Sequence, residues 1–326
     1  MHKMIGRVSL LVCLMASCCQ SLDQTITLSN GRKMPVIGLG TYRATGDVIY
    51  NSVLTALDVG YRHIDTAYLY DNEKDIGRAL KHAFSETKIK REDVFIVSKL
   101  WHTFHSRPLV TEAIEKSLNS LGLEYLDLYL IHFPFGLKEG TNETTPVDPQ
   151  GNVLFSDVDY VETWKGMEDV LSKGLAKSIG LSNFNHEQID RILSVAKVKP
   201  VINQVECHPY LNQKQLKDFC SERGIVLTAY SPLGTGRLLN DTVVLEIADK
   251  HNVTAAQVLI RYEAQRGVVV IPKATSRKYI EENFNVFNIN LSEEDMKSID
   301  SLNQNLRYNV VDYAKKNKYY PFNLPY

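Results

Sequence analysis

The chain predicts an α/β fold, a (β/α)8 TIM barrel with an N-terminal β-hairpin plug and long substrate loops. Three observations carry this. Eight short runs rich in branched and aromatic residues alternate with stretches of helical apolar spacing. The runs are apolar almost without a break, as in VFIVSKL at 94–100, the pattern of strands covered on both faces in a parallel sheet. At 326 residues, eight such units favour a closed barrel over an open sheet.

The elements follow in order. Residues 24–36 (QTITLSNGRKMPV) set an Asn30-Gly31 turn between two alternating runs, a strong hairpin signal. This hairpin is expected to plug the N-terminal end of the barrel. Strands are expected at 37–41, 62–64, 94–100, 126–131, 177–181, 201–205, 226–230 and 268–271. Helices are expected at 48–59, 75–85, 109–121, 158–173, 186–195, 213–223, 243–251, 255–265 and 277–286. Residues 133–156 hold several Pro and Gly and no period, the mark of a functional lid or wall. The stretch 302–326 is aromatic-rich and irregular.

The body is 44% hydrophobic and 23% charged, with a formal net charge of -1. That balance leaves no basic field for nucleic acid. No internal apolar run approaches the ~20 residues that cross a bilayer. The N-terminus differs. His2, Lys3 and Arg7 precede the apolar run 8–16, and Ala16, Ser17 and Cys18 follow. This order predicts a secretory signal peptide over 1–20, cleaved between Ser17 and Ser21, and one mature domain over 21–326. The alternatives are an apolar N-terminal helix of the fold or, from Met15-Ala16-Ser17-Cys18, a bacterial lipoprotein box. With export, the Asn-x-Ser/Thr triplets at Asn142, Asn240, Asn252 and Asn290 become surface glycan sites. The expectation is a secreted monomeric glycoprotein. Cys13, Cys18 and Cys19 fall in or beside the leader, and the remaining pair, Cys207 and Cys220, makes no disulfide framework.

Chemistry in such a barrel comes from the C-terminal ends of the strands. Those ends carry Asp65 and Tyr70, then Lys99, His132, Ser182-Asn183, Gln204, Tyr230 and Lys273. Lys99 is the most telling, because an unpaired ammonium closing an apolar strand is costly. Asp65, on the neighbouring strand, is its candidate partner. Lys99 is expected to lower the Tyr70 phenol below its usual value of about 10 and so prepare it to protonate a carbonyl oxygen. His132 is placed to orient the same oxygen. The competing account is a buried Lys–Asp pair with a packed His, which predicts no run of polar strand ends elsewhere.

The segments GYRHIDTAYLYDNEKDIG (60–77), LDLYLIHFP (126–134), GLSNFN (180–185), ECHPYL (206–211), TAYSPLG (228–234) and IPK (271–273) occur in this order. Together they closely resemble the aldo-keto reductase family, from about residue 25 to 322. The resemblance implies a barrel enzyme that binds extended NADPH and reduces aldehydes or ketones to alcohols. It implies a catalytic tetrad of Asp65, Tyr70, Lys99 and His132, with Tyr70 as general acid. Ser182, Asn183 and Gln204 are implied to hold the cofactor carboxamide, with Tyr230 stacked on the nicotinamide. Ser231 and Leu233 would line the pyrophosphate path, Lys273 would meet the 2′-phosphate, and Glu282 and Asn283 the adenine. Thr41 and Asp65 complete the implied cofactor contacts. Tyr42, Trp101, His132, Phe133 and the tail at 308–313, Tyr308 first, are implied as pocket walls.

The chain departs from the family at three places. Ala274 stands where Ser or Thr is usual, and Tyr279 where an Arg helps hold the 2′-phosphate. A guanidinium grips phosphate bidentately and a phenol does not. NADPH is therefore expected with NADH as the alternative, and Arg277 and Lys278 are the neighbours able to replace the charge. The segment after Gly234 (TGRLLND) is shorter than the strap many relatives carry, which implies weaker or faster-exchanging cofactor. An exported member looks similar to insect haemolymph reductases of 3-dehydroecdysteroids, which implies a steroid ketone as one substrate.

Some patterns carry nothing. Gly38-x-Gly40 is no dinucleotide fingerprint, because Arg43 sits where a third Gly belongs. Tyr70-x-x-x-Lys74 copies a dehydrogenase pair, but Tyr210 and Lys214 repeat it. His102 and His105 have metal-ligand spacing without a third ligand nearby and read as loop residues, so no metal is expected. Asp127 and Tyr129 read as strand positions. The rival functions are a catalytically weak barrel used as a cofactor-sensing or binding protein, and glycan binding at the mouth. The intact tetrad weighs against the first, and no residue supports the second.

Overall fold

The computed structural model of the protein describes residues 24–324, so the leader expected at 1–20, with Cys13, Cys18 and Cys19, lies outside the described residues. The hairpin forms as β1 (Thr25–Thr27) and β2 (Lys33–Pro35), turned at Gly31, whose φ of 82° suits glycine. Its Leu28 and Met34 pack among Phe95, Val97, Leu128, Leu130, Val201, Ile202 and Val269, inside the floor of the barrel. Each such fully buried side chain contributes about 1.5–3 kcal/mol. Arg32 pairs with Asp127 at 3.1 Å and Asn30 donates to Ser178 at 2.9 Å, which ties the plug to the strand starts.

The alternation then runs β3 (Leu39–Gly40), α1 (Gly46–Val59), β4 (His63–Asp65), α2 (Glu73–Glu86), β5 (Phe95–Leu100), α3 (Arg107–Leu121), β6 (Leu128–Ile131) and α4 (Tyr160–Ser172). It continues with β7 (Ile179–Ser182), α5 (His186–Leu193), β8 (Ile202–Glu206), α6 (Lys214–Glu222), β9 (Val226–Tyr230), α7 (Thr242–His251), α8 (Ala255–Gln265), β10 (Val269–Val270) and α9 (Arg277–Phe284). Strands β3 to β10 pair in chain order, all parallel, in an eight-stranded sheet. Bridges between Ile37 and Val270 and between Gly40 and Lys273 close it. A Cβ at Gly40 would stand 2.6 Å from the Ile271 carbonyl oxygen, so the seam closes around a glycine.

Outside the sheet, Ile64, Ile96, Tyr129 and Leu181 meet Ile76, Ile114, Trp164 and Ile189 of the helices in one core. Helix starts follow their caps, as where Asn185 and Gln188 bond reciprocally at α5 and Thr254 and Gln257 at α8. Asp127 accepts from Ile96 N at 3.0 Å and pairs with arginines, so it does serve the barrel.

Two regions differ from expectation. A tenth helix, α10 (Glu293–Asp300), follows α9 where the sequence reading has no element. Its signal was the capping box of Ser292 and Asp295, and its Ile299 buries with Val244 and Ile247 of α7. Residues 133–156 are more ordered than a plain loop. Antiparallel bridges join Leu137 to Phe155 and Val147 to Val153, and Leu137 N donates to His102 O at 2.8 Å.

Candidate active site

Strand β4 ends at Asp65, and a short turn of helix, Tyr68–Tyr70, places Tyr70 above it. The turn is pinned from beneath. Thr66 donates to Asn72 at 2.8 Å, and Asn72 donates to the carbonyls of Thr41 and Ala44 at 2.9 Å each. Asp71 closes the turn in the left-handed region at φ 51°.

Lys99, on β5, is fully buried and has a complete set of acceptors. Its Nζ lies 2.6 Å from Asp65 Oδ1, 2.8 Å from Thr66 O and 3.4 Å from the Tyr70 hydroxyl. The other Asp65 oxygen accepts from Gln204 at 2.7 Å. His132 follows β6, with its ring 5.9 Å from Tyr70 and 5.4 Å from Trp101. Its Nδ1 is buried without a partner. All four tetrad residues are thus neighbours, although they come from three strand ends.

The electrostatics correct one expectation. The Tyr70 phenol lies well above its ordinary value, raised by burial first and then by Asp65 and Tyr42. Burial and the Asp65 charge outweigh Lys99, whose ammonium sits closer to the Asp65 carboxylate than to the phenol. Burial draws Lys99 itself downward, with Asp65 opposing. Burial, then the Lys99 charge, holds His132 well below the usual imidazole value, so its ring is neutral.

On the next strand ends a set of amide and hydroxyl groups converges. Asn183 donates to His132 O at 2.9 Å and to Ser182 Oγ at 3.1 Å, and accepts from the Tyr230 hydroxyl at 2.8 Å. Ser182 donates to Gln204 O, and Thr41 to Asp65 O, each at 2.9 Å. Asn183 and Ser231 both take left-handed backbone, at φ 62° and 51°. Amide donors around one phenol ring fit a flat, carboxamide-bearing cofactor. Farther along, Lys273 is exposed with no carboxylate partner among the described residues, which fits a phosphate. Arg277 pairs with Asp58 at 2.7 Å and Glu281 at 3.1 Å on the surface. Lys278 lies 3.8 Å from Glu282. Asn283 is buried in α9, Tyr279 is 58% exposed, and Leu233 is packed into the core.

The rim is aromatic. Tyr42 stands 5.0 Å from the Tyr70 ring, Phe133 lies 5.8 Å from His132, and Trp101 donates to Thr144 O at 2.7 Å. Tyr308 has its own aromatic and cationic partners. It stacks on His208 at 5.2 Å, with the Arg237 guanidinium 4.5 Å from its centroid. The sequence reading missed Phe135, Phe155 and Phe322, which pack with Phe133 and Tyr313. His102 and His105 lie in the turn after β5 and are buried, and His102 stacks on Trp101 at 3.8 Å. It also missed Glu206, treated below, whose signal was a carboxylate closing the apolar strand 201–205.

A closed (β/α)8 barrel with an acid–base cluster at its strand ends defines an enzyme that moves protons at its mouth. The profile of the Aldo/keto reductase family matches residues 36–304. The chain is 47% identical over 320 residues to prostaglandin-E(2) 9-reductase of Oryctolagus cuniculus, covering 93% of this chain and 98% of that one. It is 47% identical over 325 residues to aldo-keto reductase family 1 member A1-A of Danio rerio, covering 94% and 100%. The solved aldose reductase of Schistosoma japonicum superposes with a TM-score of 0.91 at 44% identity, covering 93% and 100%. The chain belongs to the aldo/keto reductase family and is an NAD(P)H-dependent carbonyl reductase.

Proposed function

We propose that the protein reduces aldehyde or ketone carbonyls to alcohols with Tyr70 as proton donor and NADPH as the preferred cofactor. The observation that carries this is the use of the Lys99 protons. An ammonium has three, and Asp65 Oδ1, Thr66 O and the Tyr70 oxygen take one each. Tyr70 therefore accepts from Lys99 and keeps its own proton for the pocket. The cofactor, when bound, supplies hydride to the carbonyl carbon. Tyr70 gives its proton to the carbonyl oxygen, and Lys99, fixed by Asp65, stabilises the phenolate left behind. A neutral His132 hydrogen-bonds the same oxygen and orients it. Tyr42, Trp101 and Phe133 exclude water.

Ser182, Asn183 and Gln204 are assigned to the carboxamide, Tyr230 to the ring face, and Thr41 and Asp65 to the edge beside it. Ser231 and Leu233 are assigned to the pyrophosphate, and Glu282 and Asn283 to the adenine. Lys273 alone is assigned to the 2′-phosphate, which leaves NADH as a weaker second cofactor. The aromatic rim and the prostaglandin named for one relative support a large apolar ketone, a steroid (ecdysteroid) ketone among them. Export of a single-domain, monomeric glycoprotein rests on the leader pattern and on the exposure of Asn142, Asn240, Asn252 and Asn290. An intracellular chain that keeps Met1 would refute it.

The deciding experiment is a panel of steroid ketones, aldehydes and aldoses with NADPH and NADH. Turnover with at least one class, and a higher kcat/KM with NADPH, is expected. No turnover at saturating nucleotide would sink the reading.

A further inference from the structure

We propose that Glu206 is a positioning residue that clips the C-terminal arm to the barrel and so links the substrate wall to the turn at 231–240. The proposal rests on reading that turn as the cofactor side.

Glu206 is the last residue of β8 and is fully buried. Its Oε1 accepts from Tyr308 N at 2.8 Å and lies 3.1 Å from His208 Nε2, and its Oε2 accepts from Asn309 N at 2.9 Å. The Arg307 guanidinium is 3.9 Å away. Burial pushes the carboxyl upward, but His208 and the two backbone donors outweigh it and hold the group below its usual value. Two consecutive N–H groups of an irregular segment thus end on one buried carboxylate. Tyr210 O adds two more anchors, accepting from Gln304 N at 3.1 Å and Leu306 N at 2.9 Å.

The clipped residues also hold the other wall. Asn309 Nδ2 donates to Ser231 Oγ at 3.3 Å. The Tyr308 ring lies between His208 and Arg237, and a Cβ on Gly234 would come 3.3 Å from it. Past 309 the arm supplies Val311, Ala314, Tyr320 and Phe322, which close over Phe133 and Phe135. Nothing else among the described contacts joins all three parts. A ligand that orders the turn therefore orders the arm, and by linkage a substrate that orders the arm tightens the turn.

Glu206→Gln keeps the volume but turns an amide N–H toward one of these backbone donors. The expected result is a rise of about tenfold in both the carbonyl KM and the nucleotide Kd read by protein fluorescence, about what one lost charged hydrogen bond is worth. The kcat is expected to stay within about threefold, because the tetrad is untouched. Without nucleotide, trypsin is expected to cut faster at Lys315, Lys316 and Lys318 in the exposed arm. A lower Tm with unchanged KM and Kd would mean a merely structural carboxylate and overturn the proposal. A rise in KM without a rise in Kd would overturn the link. If Glu206→Gln does not fold, Asn309→Ala tests the same link by removing only the bond to Ser231. Both constants should rise, and unchanged constants would overturn it. A wild-type protein that reduces no carbonyl yet loses nucleotide affinity on Glu206→Gln would refute the proposed reaction and leave the clip standing.

Discussion

Two buried ion clusters stand at opposite ends of this barrel and are built to different ends. Under the hairpin, Asp127 accepts from Arg32 at 3.1 Å and Ile96 N at 3.0 Å and forms an ion pair with Arg91 at 2.8 Å. Those arginine side chains stay 42% and 17% exposed, so water shares their hydration. At the mouth, Lys99 and Asp65 are 2.6 Å apart with side chains 0% and 2% exposed. Full desolvation there is tolerated only because every Lys99 proton has an acceptor. The lower cluster faces the hairpin and stitches plug to strands. The upper one has an open side, where the Tyr70 proton and His132 Nδ1 lack partners. The difference lies in desolvation: the hairpin-end arginines keep water, whereas the Lys99–Asp65 pair is dry and sits beside a phenol and a neutral imidazole.

The largest effect expected from that contrast is at Tyr70. Tyr70→Phe should cut carbonyl reduction by about 10²–10⁴-fold while nucleotide affinity and Tm hold. Near-normal turnover in the variant would make the mouth no different from the hairpin end.

Acid should act on both ends together. Burial lowers His63, under the hairpin, to about 4 and His105 to about 3, and holds His102 and His132 well below 6.5. All four are neutral in the fold, whereas the unfolded chain takes up protons near 6.5. Their stabilisation is complete above pH 6.5 and drains away as pH falls toward 4. His63 alone, moved from 6.5 to about 4, contributes about 3 kcal/mol. Urea midpoints at pH 7.5 and 5.0 check this, and equal midpoints would mean that these rings are already charged or hydrated. Tyr70, raised rather than lowered, stays protonated across this range and adds no slope.

The smallest effect is at the hairpin-end cluster. Asp127→Asn should cost about 1–3 kcal/mol by denaturant unfolding and leave kcat unchanged. A loss of kcat with stability intact would show that the two ends are not separable.

Much of this was legible in the sequence, and for physical reasons. Parallel strands covered on both faces need unbroken apolar runs, so 94–100 and 126–131 announced β5 and β6. Polar residues closing such runs are rare without a purpose, which exposed Asp65, Lys99 and His132. What failed depended on distances across the fold. The sequence places Lys99 near Tyr70 but not that its ammonium sits nearer the Asp65 carboxylate than the phenol. It places Tyr308 in a tail but not that the ring packs against His208 and Arg237. Nor does the sequence show that Arg277 pairs with Asp58, more than two hundred residues earlier. The helix α10 was missed although Ser292 and Asp295 carried its cap.

The seam at Gly40 has a dynamic consequence. β8 and β9 share five paired residues, whereas β3 and β10 hold two residues each and meet through isolated bridges. The seam relies on Gly38 N to Val270 O at 2.9 Å, Val270 N to Val36 O at 2.8 Å and Gly40 N to Pro272 O at 3.1 Å. Local opening starts where few bonds must break. The seam is one such line, alongside the two-residue registers of β3–β4, β7–β8 and β9–β10, and Thr41 and Lys273 flank it from either side. A ligand reaching both acts as a staple across that line, converting its own affinity into resistance of the whole barrel to opening.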